Sequence, residues 1–393
     1  MITRVKAENF RCLRSVDVCL RPFQILVGPN GSGKSALMDA LAFVRTLTSE
    51  YLSAAIFERT ENFHDLVWGR EGNGFSLSLE VTAPGESASG EDGRSARFAR
   101  YEVAIDAEVA DELPEIEKER IVVHRAGATG EVSAAERNGT ESTYFYEPKG
   151  FLPTMELFPI ERLYSVLGRA PVRPDNFPEV SWLRDALRSD GSGVCPVELR
   201  IDDLRAPSPP FKGTVKSLTG SHLARFVAEL EDKSPGSFKD WIKHLQTCLP
   251  DLETLRTVFR PEDRYRYLMV RFRNGIEVPS WLLSEGELRL MALTILAYMP
   301  DTGRIYLIEE PENGLHPTAI EAIYQSLSSI YEGQVLMASH SPILLSLAKP
   351  EDLLCFSRTE QGTEVIHGDH HPVLKNWKGE VRLSDLFAGG VLS

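Results

Sequence analysis

Two hydrophobic periods alternate along the chain, and the switch between them marks its organisation. Phe23-Gln-Ile-Leu-Val27 is a short β-rich run that stops at Gly28, and the segment from Ser35 to about Thr46 has helical character. A strand–loop–helix unit is expected there. Phe75, Leu77, Leu79 and Val81 alternate with polar residues, and a second run follows at Phe98, Tyr101, Val103 and Ile105. The polar stretch 84–97 between them predicts the tip of an antiparallel hairpin, with further strands at 121–124 and 143–146.

Beyond residue 150 prolines at 153, 159, 171, 174, 178, 196, 207, 209 and 210 cut the chain into short helices and loops. Two helices follow, one with Leu223, Phe226, Val227 and Leu230 on one face, the next with Trp241, Leu245, Cys248 and Leu252. Neither heptads nor an internal repeat appear, so no long coiled-coil arm is expected. In the last third, a strand at 266–272 and buried strands at 305–309 and 335–338 alternate with helices at 284–299 and 317–331. Apolar strands separated by helices predict an α/β fold with a mostly parallel core sheet covered on both faces. The chain divides into an N-terminal lobe (1–150) with the antiparallel layer, a mainly helical insertion (151–262) and a C-terminal lobe (263–393).

Composition narrows the class. With 43 Lys and Arg against 57 Asp and Glu the net charge is −14, so any nucleic-acid contact needs a local basic patch. Arg256, Arg260, Arg264, Arg266, Arg271 and Arg273 supply a candidate, set against a reading as solvated strand faces paired with acids. Five scattered cysteines without CxxC spacing read as reduced thiols. No stretch suits a signal peptide or a membrane span, which predicts a cytoplasmic protein with no membrane partner.

Gly28-Pro29-Asn30-Gly31-Ser32-Gly33-Lys34-Ser35 fits the P-loop pattern in full. Its glycines allow successive N–H groups to turn toward phosphates, Lys34 reaches the β- and γ-phosphates, and the Ser35 hydroxyl serves Mg²⁺. Ile305-Tyr-Leu-Ile-Glu309-Glu310-Pro-Glu312 is an apolar strand ending in acids, where α/β sites lie. Glu309 is expected to hold Mg²⁺, and Glu310 to orient and deprotonate the attacking water. Leu283-Ser284-Glu285-Gly286-Glu287 precedes an apolar helix and reads equally as a capping box and as an anion site. Ser339-His340-Ser341-Pro342 follows the next strand, and Asn313-Gly-Leu-His316-Pro317 is a tight turn into a helix. His367-Gly-Asp369-His370-His371 lacks an ordered metal-ligand spacing.

The order P-loop, signature, acidic strand, histidine, with the wording GPNGSGKS…LSEGE…IEEPENGLHP…SHSP, resembles the SMC-like, RecF-like and OLD-like branch of ABC ATPases. The resemblance covers about 1–110 and 265–345. It implies an ATP-hydrolysing ABC-type head in which Ser284 and Gly286 of one subunit contact the γ-phosphate held by another. Glu310, His340 and Ser284 then serve catalysis in a head-to-tail homodimer with ATP and Mg²⁺. The opening Val5-Lys-Ala-Glu-Asn9-Phe10-Arg11 resembles the branch's N-terminal strand and implies that Asn9, Phe10 and Arg11 lie near the nucleotide. The family's Q-loop glutamine has no counterpart between Gln24 and Gln246, where Asn62, His64 or Asp65 are the substitutes to test. OLD-type nucleases add a TOPRIM domain after the histidine, and some fifty residues after Pro342 are too few for one, so no nuclease is expected in this chain. The implied role is a switch ATPase serving a separately encoded nuclease or toxin in phage defence or a toxin–antitoxin-like system. The alternative is a DNA-repair or chromosome-associated ATPase acting on DNA; a transporter subunit is disfavoured.

Overall fold

The computed structural model describes residues 1–82, 98–107, 114–124, 131–138, 141–146, 154–169, 178–188, 192–210, 217–300, 303–375 and 383–390. β1 (Ile2–Phe10), β2 (Leu13–Cys19) and β3 (Phe23–Val27) open the chain. β4 (Gly74–Thr82), β5 (Phe98–Asp106), β6 (Glu115–His124), β7 (Glu131–Asn138), β8 (Glu141–Tyr146) and β9 (Thr154–Pro159) come after the helix Lys34–Ser49. β10 (Val194–Val197) precedes β11 (Leu252–Phe259), β12 (Arg266–Phe272) and β13 (Glu277–Pro279). β14 (Ile305–Glu309), β15 (Gln334–Ala338), β16 (Leu353–Thr359) and β17 (Gly362–His367) complete the strands.

Three sheets result. An antiparallel sheet runs β2-β1-β4-β5-β6-β7-β8-β9, the core sheet runs β10-β14-β15-β3-β16-β17, and β11-β12-β13 form a small third sheet. In the core sheet every pair from β10 to β16 is parallel, and β17 is antiparallel. The α/β architecture and the antiparallel layer therefore match the sequence expectation. The hairpin tip expected at 84–97 lies outside the described residues.

Strand alternation explains why the core sheet is buried on both faces. Leu26, Ile305, Leu307, Leu336 and Ala338 point toward the helix Lys34–Ser49 and the antiparallel layer. Their neighbours Ile25, Val27, Tyr306, Ile308, Val335 and Met337 point the other way, onto Leu290, Ile320, Leu344 and the rest of a helical cover. Continuous apolar runs are what such doubly covered strands require. Burial also pushes the thiols of Cys195 and Cys355 up to about 11 and about 12, which keeps them protonated. Among the described residues no helix is long and apolar enough to cross a membrane.

The stretch 151–262, expected to be a mainly helical insertion, does contain the helices Leu223–Lys233 and Pro235–Cys248. It also supplies three strands: β9 extends the antiparallel layer, β10 pairs with β14 inside the core sheet, and β11 builds the third sheet. β10 is four residues long with a proline in it, which gives pattern reading almost nothing to detect.

Two buried polar devices lock the layers. Glu119, on β6, accepts from Tyr101 Oη (2.7 Å), Ser165 Oγ (2.6 Å) and Val166 N–H (2.8 Å), and lies 3.4 Å from the buried Arg137 guanidinium. Gln334, at the start of β15, accepts from Ile2 N–H (3.0 Å) and donates to the carbonyls of Ile2 (2.8 Å) and Arg21 (3.0 Å). That single buried amide stitches the core sheet to β1. Gln334→Leu, similar in size, leaves three backbone groups without this partner and should cost about 2–4 kcal/mol. A clear fall in the urea midpoint is the expected result; a midpoint equal to wild type would show that the stitch contributes nothing.

Candidate functional site

β3 ends at Val27 and the chain turns at once into the loop 28–33 before the helix Lys34–Ser49. Gly28 has φ 149° and sits so close to β16 that a Cβ there would lie 2.2 Å from the Phe356 carbonyl oxygen. Gly33, at φ 107°, faces Leu13 and Thr363, each 2.9 Å from where a Cβ would be. Both positions exclude a side chain by backbone angle and by space. Lys34 is buried, and its ammonium donates to the carbonyls of Gly28 (2.8 Å) and Pro29 (2.9 Å). Burial lowers its pKa, opposed by the nearby carboxylates of Glu309 and Glu310. Ser32 is fully buried, and its hydroxyl has no partner among the described residues.

The loop faces a cleft of about 940 Å³. Asn30, Gly31, Gly33, Lys34 and Ser35 line it, with Glu309, Glu310 and His340. Parallel pairing explains the convergence: β14, β15 and β3 are adjacent, so their carboxyl ends emerge side by side. Glu310 adopts a left-handed φ of 45° just past β14. Its N–H donates to Ala338 O (2.8 Å), and Asn313 Nδ2 donates to its Oε2 (2.6 Å). Glu312 reaches across to the histidine turn, accepting from Ser339 Oγ (2.7 Å) and His340 N–H (3.0 Å). Pattern reading quoted Glu312 but gave it no role; the structure makes it the brace that fixes where His340 leaves its strand. The oxygen donors Ser35 and Glu309 sharing the cleft with a cationic loop suit a hard cation held jointly with phosphates.

Ser284 and Gly286 are not among the lining residues of this cleft. Ser284 is the exposed N-cap of the helix Glu285–Thr294 and forms a complete capping box: Glu287 N–H donates to its Oγ (3.3 Å), and Ser284 N–H donates to Glu287 Oε2 (2.8 Å). A Cβ on Gly286 would come within 3.2 Å of the Gly314 carbonyl oxygen, so the start of this helix rests on the turn after β14.

Among the N-terminal candidates, Arg11 lines the cleft and pairs with Asp39 at 3.0 Å. Asn9 is exposed and does not line it. The expectation for Phe10 is corrected: its ring is fully buried, packed edge-on against Phe43 (5.8 Å) and Phe75 (5.0 Å), so it serves the core and not a ligand. Of the three Q-loop substitutes Asp65 reaches the cleft, whereas Asn62 caps a short turn by accepting from His64 N–H. Trp68, Arg70 and Arg358 also line it and belong to no motif.

Half of the arginine cluster is ion-paired: Arg256 pairs with Glu277 (3.0 Å), Arg271 with Glu253 (3.1 Å) and Arg260 with Asp263, while Arg266 lies over the Phe259 ring. In the His367 segment Asp369 pairs with Arg21 at 2.7 Å. Among the described residues no group of three His, Cys, Asp or Glu side chains could hold a metal.

Fold and cleft resemble those of a P-loop ATPase head, and comparisons with known proteins point the same way. Residues 1–121 match the family described as "AAA ATPase domain", and residues 185–346 the one described as "AAA domain, putative AbiEii toxin, Type IV TA system". An OLD nuclease of Thermus scotoductus is 23% identical over 377 residues, 90% of this chain and 61% of that protein. The DNA replication and repair protein RecF of Haemophilus ducreyi is 31% identical over 102 residues, 24% of this chain and 28% of the relative. The chain thus spans less than two thirds of the length of either. The crystal structure of the SmcHead bound to the C-winged helix domain of ScpA superposes with a TM-score of 0.52 at 16% identity, covering 93% of this chain and 96% of that one. The chain is thus similar to P-loop ATPases of the SMC, RecF and OLD kinds.

Lys34→Ala should abolish detectable ATP binding by calorimetry while leaving the fold intact, because the loop loses its main cation. Unchanged affinity would contradict the P-loop assignment.

Proposed function

We propose that the chain is an ATP-driven dimerising switch. One observation carries this reading: the cleft holds the P-loop, both acids and the histidine, yet the signature residues Ser284 and Gly286 lie outside it on an exposed helix start. One chain presents an incomplete site and, elsewhere, the piece that would complete a neighbour's. Two chains arranged head to tail satisfy both needs. In the closed pair Lys34 and the loop N–H groups neutralise the triphosphate, and Ser284 and Gly286 of the second copy meet the γ-phosphate. Ser35 and Glu309 would hold Mg²⁺, which when bound would neutralise phosphate charge. Glu310 takes the proton as water oxygen bonds to the γ-phosphorus; the bond to the β-phosphate oxygen breaks and ADP leaves with its electron pair. His340, held by Glu312, faces the cleft where the γ-phosphate charge changes.

Opening and closing of this pair would regulate a separately encoded effector. The toxin and nuclease wording attached to the matching family and to the Thermus relative supports that reading. Direct action on DNA is supported by the name of the RecF relative, although ion pairs hold three of the six clustered arginines.

Glu310→Gln keeps the shape and loses the base, so turnover should fall by roughly two to four orders of magnitude. Light scattering should find this variant accumulating as a dimer with ATP and Mg²⁺. Normal turnover, or an oligomeric state indifferent to ATP, would refute the assignment. Ser284→Arg should retain ATP binding and lose hydrolysis. A purely capping role predicts instead a loss of about 1 kcal/mol in stability with turnover preserved.

A further inference from the structure

The cleft has a wall that no motif describes. Segment 63–70 is held against the turn between β1 and β2 by an antiparallel bridge, Phe10 to Val67, and by Arg11 N–H donating to Leu66 O at 2.8 Å. Phe63 anchors it from below, stacked on Phe75 at 5.7 Å. Directly after Trp68, Gly69 (φ 65°) and Arg70 (φ 57°) both take left-handed angles, which turn the chain and leave the indole at the cleft. The Arg14 guanidinium covers the ring, 4.9 Å from its centroid. Trp68 lines the cleft and Arg14 does not.

Trp68 is half-buried and belongs to neither hydrophobic core. An aromatic face at a phosphate-binding cleft is the complement of a nucleobase, because every base offers a π-face and stacking needs no edge-on hydrogen bonds. A cation on the opposite face holds the ring flat and in place.

We infer that Trp68 seats the base of the bound nucleoside triphosphate, stacked on the cleft side of the indole, with Arg14 as a positioning residue behind it. The inference rests on the ATP reading proposed above and adds the residue that separates a nucleotide from bare polyphosphate.

Calorimetry on the full chain with two ligands, ATP and inorganic tripolyphosphate, tests it. Trp68→Ala should raise the ATP dissociation constant roughly 10- to 100-fold and leave that for tripolyphosphate unchanged. Trp68→Phe should restore most of the ATP affinity, and Arg14→Ala should weaken ATP by a smaller factor, again sparing tripolyphosphate. Indole fluorescence gives a second readout: ATP should quench wild type, and the quench should vanish in Trp68→Phe. Equal loss of both ligands in Trp68→Ala would mean a structural role and overturn the inference, as would unchanged ATP affinity or a quench that survives in Trp68→Phe. Lys34→Ala is the control for the underlying reading: ATP binding that survives it would remove the P-loop assignment, whatever Trp68 does.

Discussion

The parallel insertion of β3 between β15 and β16 is the constraint on which the site depends. Val335 to Ala338 pair with Phe23 to Leu26 on one side, and Leu353 to Cys355 pair with Ile25 to Val27 on the other. Segments separated by about three hundred residues thus share one ladder. Closing so long a loop is entropically unfavourable, though the cost grows slowly with length. Burial of both faces of β3, β14 and β15 offsets it. Since all these strands run the same way, whatever follows each of them arrives at the same edge. A lysine, two acids and a histidine become neighbours through strand direction, not through contacts among themselves.

Several residues proposed to serve chemistry also have structural duties, and the two demands fall on the same atoms. Gly28 is required by the close approach of the Phe356 backbone as much as by any phosphate. Ser284 caps its helix with the hydroxyl that would meet a γ-phosphate, so engagement of a ligand would trade one hydrogen bond for another. Glu310 stands in a left-handed backbone conformation that a non-glycine residue adopts at some cost, held there by Ala338 and Asn313.

Much of this was legible in the residues. The strands at 23–27, 266–272 and 305–309 appear with the bounds their apolar runs suggested, and the motifs fall where strand ends put them. What escaped has physical reasons. β10 is too short and proline-bearing to show a period, yet the pairing of Val194 to Val197 with β14 gives it a place. Phe10 stands between the polar Asn9 and Arg11, yet the left-handed backbone of Asn9 (φ 57°) breaks the alternation of β1 and leaves the Phe10 ring buried. Glu312 and Trp68 act through partners far off in sequence, Ser339 and Arg14, which no local pattern connects.

The contact between Gly286 and Gly314 has a consequence for timing. The helix start that would meet a neighbour's triphosphate in the proposed pair rests on the turn whose Asn313 holds the chain's own Glu310. In a head-to-tail pair, arrival of a nucleotide at one cleft would press on the start of that helix and, through this turn, on the base of the other cleft. Each site would then report its occupancy to its twin through a few ångströms of packed backbone. Turnover would rise sigmoidally with nucleotide, as two coupled events and not two independent ones.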